Sequence, residues 1–574
     1  MDTGEVVFVK PNFGGPMADG NLGRRAVLVA GVVGIAGLAG GELMAASAAQ
    51  DGNDNATTRA VPSAVAVTAN DPQYADCVRG LNTRYIGTPE SVRIVNCTDQ
   101  VVQVVQEAVT NKKRLTVISS GHCYEDFIFN PDVKVVVDIT MMNNVYYDPA
   151  MNAVAIESGA TMLEIYKTLY KQWGVTVPAG FCYSVAAGGH VAGGGWGPLV
   201  RVNGLVVDHL YAVEVVVVDA NGTARAVVAT REPNDPNRDL WWAHTGGGGG
   251  NFGVITRYWF KSPGATGSDP RTMLPRPPHD VLISAIAYNW STLTQDQFTR
   301  LARNYASWHV ANRAADNPNR VVTSYLLLNH QSNGQIGLIT QVDATVPNAQ
   351  TILDNYIAYM QSGVTAQHVA LTNRMAEISP MPQLVQARRL PWLEATRMLG
   401  TTNPPLNDPT YRAEYKSTFM RGNFPDNQIA AVYRHLTSTA ISNPLAGVQF
   451  TPYGGQASAV DPAATAIPHR GAAFKMLWSA QWIDPADDAK HIDWMRRGYA
   501  DTYADTGGVP VPNAVTDGCY VNYPDGDLSD PNFNKSTTPW YTLYYKDNYA
   551  RLLQAKRRWD PLNFFRHRQS IGTT

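Results

Sequence analysis

Apolar residues in the first half of the chain switch between short β-rich runs and stretches with a helical period. Ser91–Val95 and Leu115–Ser119 read as strands, and Val101–Val109 between them reads as a helix with Asp99 as its cap. Val133–Ile139 and Ala153–Glu157 are further strands. Thr161 to Trp173 predicts a helix that Thr161 can cap and Gly174 can end. Tyr211–Asp219 and Ala224–Thr230 flank Asn221-Gly222, which predicts a hairpin because such a turn needs positive φ. After glycines 246 to 250 comes one more strand, Ile255–Phe260.

Pro263, Pro270, Pro275, Pro277 and Pro278 then mark a domain boundary. Beyond it, Val281–Tyr288, Val321–Leu328 and Gln335–Val342 predict strands, and Ile352–Tyr359, Ile429–Leu436 and Asp487–Tyr503 predict helices. Pro380, Pro382, Pro391, Pro404, Pro405 and Pro409 make the middle of this region irregular. The pattern divides the chain into residues 71–262, residues 279–500 and a segment 501–574. That last segment is too small for a domain and is expected to return to one of the others.

The N-terminus has its own texture. Arg24-Arg25 precedes an apolar stretch from Ala26 to about Gly41 and then the small residues Ala46-Ser47-Ala48. This order predicts a Tat export signal and leader over residues 1–50, and so a secreted protein. The apolar run falls short of the roughly 20 residues of a membrane span.

Composition narrows the classes. Of 574 residues, 44% are apolar and 16% charged, which suits a folded core. The formal net charge of -2, with no dense basic stripe, argues against a nucleic-acid partner. Five cysteines leave at least one outside any intramolecular disulfide; Cys182 is the candidate, and Cys77 with Cys97 is one conceivable pair. No CxxC pair or close His/Cys cluster points to a metal.

Two blocks carry the chemistry. Gly180-Phe181-Cys182 leads through Gly188-Gly189-His190 to Gly193-Gly194-Gly195-Trp196-Gly197. Glycine at this density lets the backbone approach a ligand and turn amides toward oxygen acceptors such as a pyrophosphate. The block is neither GxGxxG with a ribose-binding acid nor a P-loop. Ser119-Ser120-Gly121-His122-Cys123-Tyr124-Glu125-Asp126 directly follows a strand, which puts His122 in a loop able to meet a planar cofactor.

These blocks resemble the berberine-bridge-enzyme-like group of the vanillyl-alcohol-oxidase flavoproteins. Ser-Ser-Gly-His-Cys stands here for the family's Ser-Gly-Gly-His-Ser, with His122 at the 8α-histidyl position of FAD and Cys182 at the 6-S-cysteinyl position. Asp239-Leu240-Trp241-Trp242 and the glycines to Gly253 are similar too, although Thr245 replaces the usual Arg before glycine. Tyr520 to Asp525 and Asp560 to Ile571 complete the likeness, which covers about 70 to 572.

The resemblance implies an α+β fold: a two-part flavin-binding domain of the vanillyl-alcohol-oxidase type and a separate α/β substrate domain on an antiparallel sheet. It implies bicovalent FAD bounded by Ser119, Ser120, Gly121, Cys123, Gly188, Gly189, His190, Gly194, Asn251, Gly253 and Asn563. Tyr523 matches the family's base, with Trp196, Lys475, Trp478 and Tyr520 on the substrate side. A phenol's pKa near 10 means that Tyr523 needs a nearby cation or the flavin's field to act at neutral pH.

The implied reaction moves a hydride from an alcohol carbon to flavin N5 and then the electrons to oxygen, giving peroxide. Bacterial glycopeptide hexose oxidases look especially similar, so a sugar or glycosylated product is the expected substrate. Trp196 and Trp478 stand where related sugar oxidases have tyrosine. They keep open the alternative of an oxidase or oxidative cyclase of a non-sugar secondary metabolite.

Overall fold

The described residues build three sheets, each serving one wall of a common cavity. The computed structural model describes residues 61–401, 408 and 410–573; the segment expected to be an export signal, Pro404, Pro405 and Pro409 lie outside the described residues. No helix of the described residues is long and apolar enough to cross a membrane.

The first sheet has the order Val65–Val67, Ser91–Ile94, Val135–Asp138, Leu115–Ile118. Its last three strands are parallel, and the helix Thr98–Thr110 makes the crossover between Ser91–Ile94 and Leu115–Ile118. That helix starts at Cys97, so Asp99 lies in its first turn and complements the helix dipole without capping. The second sheet is antiparallel: Val145–Asp148, Ala153–Glu157, Val254–Phe260, Leu210–Val218, Ala224–Thr230. Val217↔Arg225 and Val218↔Ala224 close the hairpin at Asn221-Gly222, and Gly222 has φ +77°. Thr161 caps the helix Met162–Trp173 in a reciprocal box with Glu164, and Gly174 ends it at φ +66°.

The third sheet has eight antiparallel strands. Phe474–Trp482 lies between Gly447–Pro452 and Arg412–Met420 near one edge. Helices Gln295–Ala311, Ala349–Gln361, Asp426–Leu436 and Asp488–Thr502 pack on this region. Strand alternation sends Met476, Trp478 and Ala480 toward the helices, leaving Leu477, Ser479 and Gln481 on the cavity face. The result is a two-domain α+β flavoprotein fold: a flavin-binding region and a separate substrate region built on an antiparallel sheet.

The final segment returns to the flavin-binding region. Fully buried Lys556 donates to the backbone oxygens of Asn251 and Phe565, both at 2.6 Å, and to Asp560 at 2.6 Å. Tyr545 donates to the Gly247 carbonyl at 3.0 Å, and the Ile571 amide to Asn251 Oδ1 at 2.9 Å.

Candidate active site

Leu115–Ile118 ends at the cavity, so its continuation, residues 119 to 124, forms the wall directly. Ser120 Oγ accepts the Ala186 amide at 2.9 Å, and the Leu81 amide donates to Gly121 O at 2.7 Å. Gly121 takes φ +74°, a conformation that bends the chain and presents His122 to the cavity. His122 Nε2 lies 2.9 Å from Ser184 Oγ, and burial lowers its pKa to about 4. The imidazole is therefore neutral at pH 7 and keeps a lone pair for bond formation. Beside it, burial pushes the Cys123 thiol up to about 12.

The second wall is the glycine loop. The Gly180 amide donates to His190 Nε2 at 3.2 Å, and burial, with help from Lys475, lowers His190 to about 4, consistent with a neutral acceptor. At Gly188 a Cβ would stand 3.1 Å from Ser119, whereas at Gly189 it would meet only open space. Cys182 borders the same cavity and pairs by a backbone bridge with Thr401; burial raises its thiol to about 12.

The third wall comes from Gly248, Gly249, Gly250 and Asn251, with Phe565, Arg566, His567 and Gln569 of the returning segment. Asn251 Nδ2 donates to the Gly247 carbonyl at 2.9 Å and thereby holds the glycine turn. Gly253 packs so tightly that a Cβ would stand 2.4 Å from Val216 O.

The cavity has ≈ 2320 Å³ of empty volume, counting its open mouth. Several buried polar atoms at its border, His567 Nε2 and Gln569 Oε1 among them, have no hydrogen-bond partner in the protein. Glycines opening onto free space, orphaned polar atoms and neutral His122 fit an extended, hydrogen-bonding cofactor such as FAD.

The structure brings Ser119, Ser120, Gly121, His122, Cys123, Cys182, Gly188, Gly189, His190, Trp196, Asn251, Gly253, Tyr520 and Tyr523 to this one cavity. Four expected site residues stand off its wall. Gly194, at φ +111°, packs on Ile467, so its role is to shape the loop. Asn563 adopts φ +51° in the turn after the helix Tyr549–Trp559. Trp478 is fully buried on the helix side of its strand, 5.9 Å from the His435 ring and 5.7 Å from Tyr499. It differs from Leu477 by one position, and in a strand one position changes the face. Lys475 is buried one layer behind Trp196, Tyr520 and Tyr523.

The substrate wall also holds residues that the motifs did not single out. Tyr325, Glu377, Tyr415, Gln449, Thr451, Leu477, Ser479 and Gln481 line it. Tyr124 stacks on Tyr415 at 3.7 Å and on Tyr523 at 5.6 Å. Glu377 sits on a tight turn where Met375 and Ile378 exchange backbone bonds of 2.9 Å and Ala376 has φ +52°. Tyr415 donates to its carboxylate at 3.3 Å. The alternation of Leu477, Ser479 and Gln481 was a usable signal for part of this set. Glu377, in an irregular turn, had none.

The family model for FAD binding domain matches residues 89–227, and the model for berberine and berberine like matches residues 519–572. The aclacinomycin-N/aclacinomycin-A oxidase of Streptomyces galilaeus is 43% identical over 553 residues, 96% of this chain and 97% of that protein. Among solved structures, CrmK, a flavoenzyme of shunt product recycling in caerulomycin biosynthesis, has 45% identity and a TM-score of 0.84, covering 90% of this chain and 100% of its own. The glycopeptide hexose oxidase DBV29, in complex with teicoplanin, has 43% identity and a TM-score of 0.83, covering 89% and 99%.

Fold, cavity and relatives define an FAD-dependent oxidoreductase. The chain belongs to the berberine-bridge-enzyme-like family of FAD-linked oxidases, whose member acts on a small molecule with oxygen as acceptor. Within it, the expected nearness to hexose oxidases is not distinctive, because the three relatives lie at 43%, 45% and 43% identity.

Proposed function

We propose that this protein oxidises an alcohol on a bulky secondary metabolite, using FAD bonded to both His122 and Cys182. The observation that carries the reading is that His122, Cys182 and Tyr523 border one cavity whose far wall is the antiparallel sheet. When bound, FAD supplies the hydride acceptor and passes the electrons to oxygen, giving peroxide. Tyr523 takes the proton of the reacting hydroxyl. His122, already neutral, has its nucleophilic nitrogen ready. Cys182 must first release its thiol proton, and Glu377 is the carboxylate whose charge it feels. Export by the Tat route, after the cofactor is in place, belongs to the same reading.

The activities of these relatives favour the alternative over a free sugar. One oxidises aclacinomycins and one serves caerulomycin biosynthesis, while the glycopeptide hexose oxidase was crystallised with teicoplanin. Oxygen consumption should therefore be measured with free mono- and oligosaccharides, with glycosylated polycyclic products and with their aglycones. The expected result is uptake with the polycyclic products and none with free sugars. Rapid turnover of free hexoses would sink this substrate class. No uptake with any, while the flavin stays intact, would point to another acceptor.

A further inference from the structure

Histidines aside, only two residues lining the cavity are of a charged type, Glu377 and Arg566. His122, His190 and His567 line it too, but burial lowers them to about 4, about 4 and about 3, so they are neutral at pH 7. Arg566 belongs to the flavin wall and Glu377 to the substrate wall. The substrate end therefore offers one carboxylate. Among the described residues that carboxylate enters no ion pair, and Arg374 on the same turn acts on it only from a distance.

The turn does not need this side chain. Met375 and Ile378 exchange backbone bonds of 2.9 Å, and Arg374 Nε donates to the Ala376 carbonyl at 2.7 Å. Glu377 Oε1 accepts from Tyr415 at 3.3 Å, long for a hydrogen bond, and the Tyr415 hydroxyl is shared with Tyr411 at 2.8 Å. A carboxylate can accept about four bonds, so accepting capacity remains on the cavity side. The same cavity is lined by the rings of Phe181, Tyr124, Tyr325, Tyr415 and Tyr523. Burial raises the pKa of each of these phenols, so the rings are neutral and present their negative faces. A carboxylate among neutral aromatic faces is the complement of an ammonium ion, which gains from both.

We propose that Glu377 is the binding residue for a protonated amine, so that the substrate carries an ammonium as well as the alcohol to be oxidised. The inference deepens the reading of this cavity as the site of alcohol oxidation and rests on it. Tyr415, bonded to Glu377, stacks on Tyr124 at 3.7 Å, and Tyr124 stacks on Tyr523 at 5.6 Å. The ammonium and the reacting hydroxyl thus sit at the two ends of one aromatic stack. An anchor remote from the reacting carbon orients the alcohol without taking part in the chemistry. Burial disfavours the charged form of Glu377, and an arriving cation supplies the partner that the protein itself does not. A neutral molecule of the same shape forgoes this contact, and an anion is repelled.

The test is a binding titration of the flavin-loaded protein, read from the change in flavin absorbance at pH 7. The probes are phenethylamine, an ammonium at this pH because alkylamines titrate near about 10, and N-acetylphenethylamine, its neutral counterpart. Wild type is expected to bind the cation more tightly by about thirtyfold or more, the loss typical when one partner of a desolvated charge pair is removed. Glu377→Gln keeps the shape and an acceptor for Tyr415, and it is expected to erase that preference while binding the neutral probe as wild type does. Glu377→Asp should restore part of the preference, which a merely structural role would not do. Equal binding of the two probes by wild type, no binding of the cation, or a preference that survives in Glu377→Gln overturns the inference. The titration needs no turnover, whereas the alcohol-oxidase reading fails on the absence of flavin reduction by any alcohol, so the two failures are separable.

Discussion

Lys556→Met tests how the returning segment holds the cofactor wall. The change removes an ammonium that makes three bonds of 2.6 Å, to Asp560 and to the carbonyls of Asn251 and Phe565. Methionine fills most of the volume, so the loss is electrostatic. Breaking a fully buried pair and leaving its partner charged costs about 3 to 5 kcal/mol. The lower figure applies, because Asp560 keeps the Phe564 amide at 2.8 Å and the Phe565 amide at 2.9 Å. Adding Asp560→Asn removes the stranded charge, and a coupling of about 1 to 3 kcal/mol in the favourable direction is expected. Urea denaturation of wild type, both single variants and the double variant gives the cycle. Non-covalent flavin retention in a His122→Ala/Cys182→Ala background reports the wall. A Lys556→Met loss below about 1 kcal/mol, or strict additivity, would refute the reasoning.

Three further outcomes follow from the same structure. Burial, first of all, and the charges of Glu414 and Asp525 push Glu125 up to about 8, although the Gly526 amide and Arg84 pull it down. The native state therefore holds a proton that the unfolded chain releases from about pH 4.5, and this contribution to stability is lost as pH rises toward 8. Glu125→Gln should flatten that slope in melting temperature; parallel curves for both proteins would count against it. Gly197→Ala would place a Cβ 1.6 Å from Ala179 O beside Trp196, so a loss of more than about 2 kcal/mol is expected in denaturation, and wild-type stability would contradict the packing. Tyr523→Phe should slow flavin reduction in stopped flow by about a hundredfold or more while leaving flavin attachment intact, and an unchanged rate would exclude the base role.

Much of the framework was legible because local chemistry and tertiary need agree. Asn221-Gly222 can hardly be other than a tight turn, and Thr161 with Glu164 specifies a helix start within four residues. The strand Arg412–Met420 is hidden in the sequence, since Glu414 and Lys416 look like solvent-facing positions. Both are buried: Glu414 pairs with Arg84, and Lys416 lies 2.8 Å from Asp525 and from Asp527. Such partners are distant in sequence and leave no local trace. The helix Gln295–Ala311 leaves a weak sequence signal for a related reason, as its buried Asn304 and His309 dilute the apolar stripe. At the site, motif residues on loops could be read directly, whereas residues on the sheet required the strand's parity. Trp478 and Leu477 differ only in that respect.

The central claim is that one flavin joins His122 and Cys182 across this cavity. Intact mass of denatured protein tests it most directly, in wild type, His122→Ala, Cys182→Ala and the double variant. The account predicts one FAD retained by wild type and by each single variant, and none by the double variant. Flavin that washes off the denatured wild type, or that stays on the double variant, would contradict it.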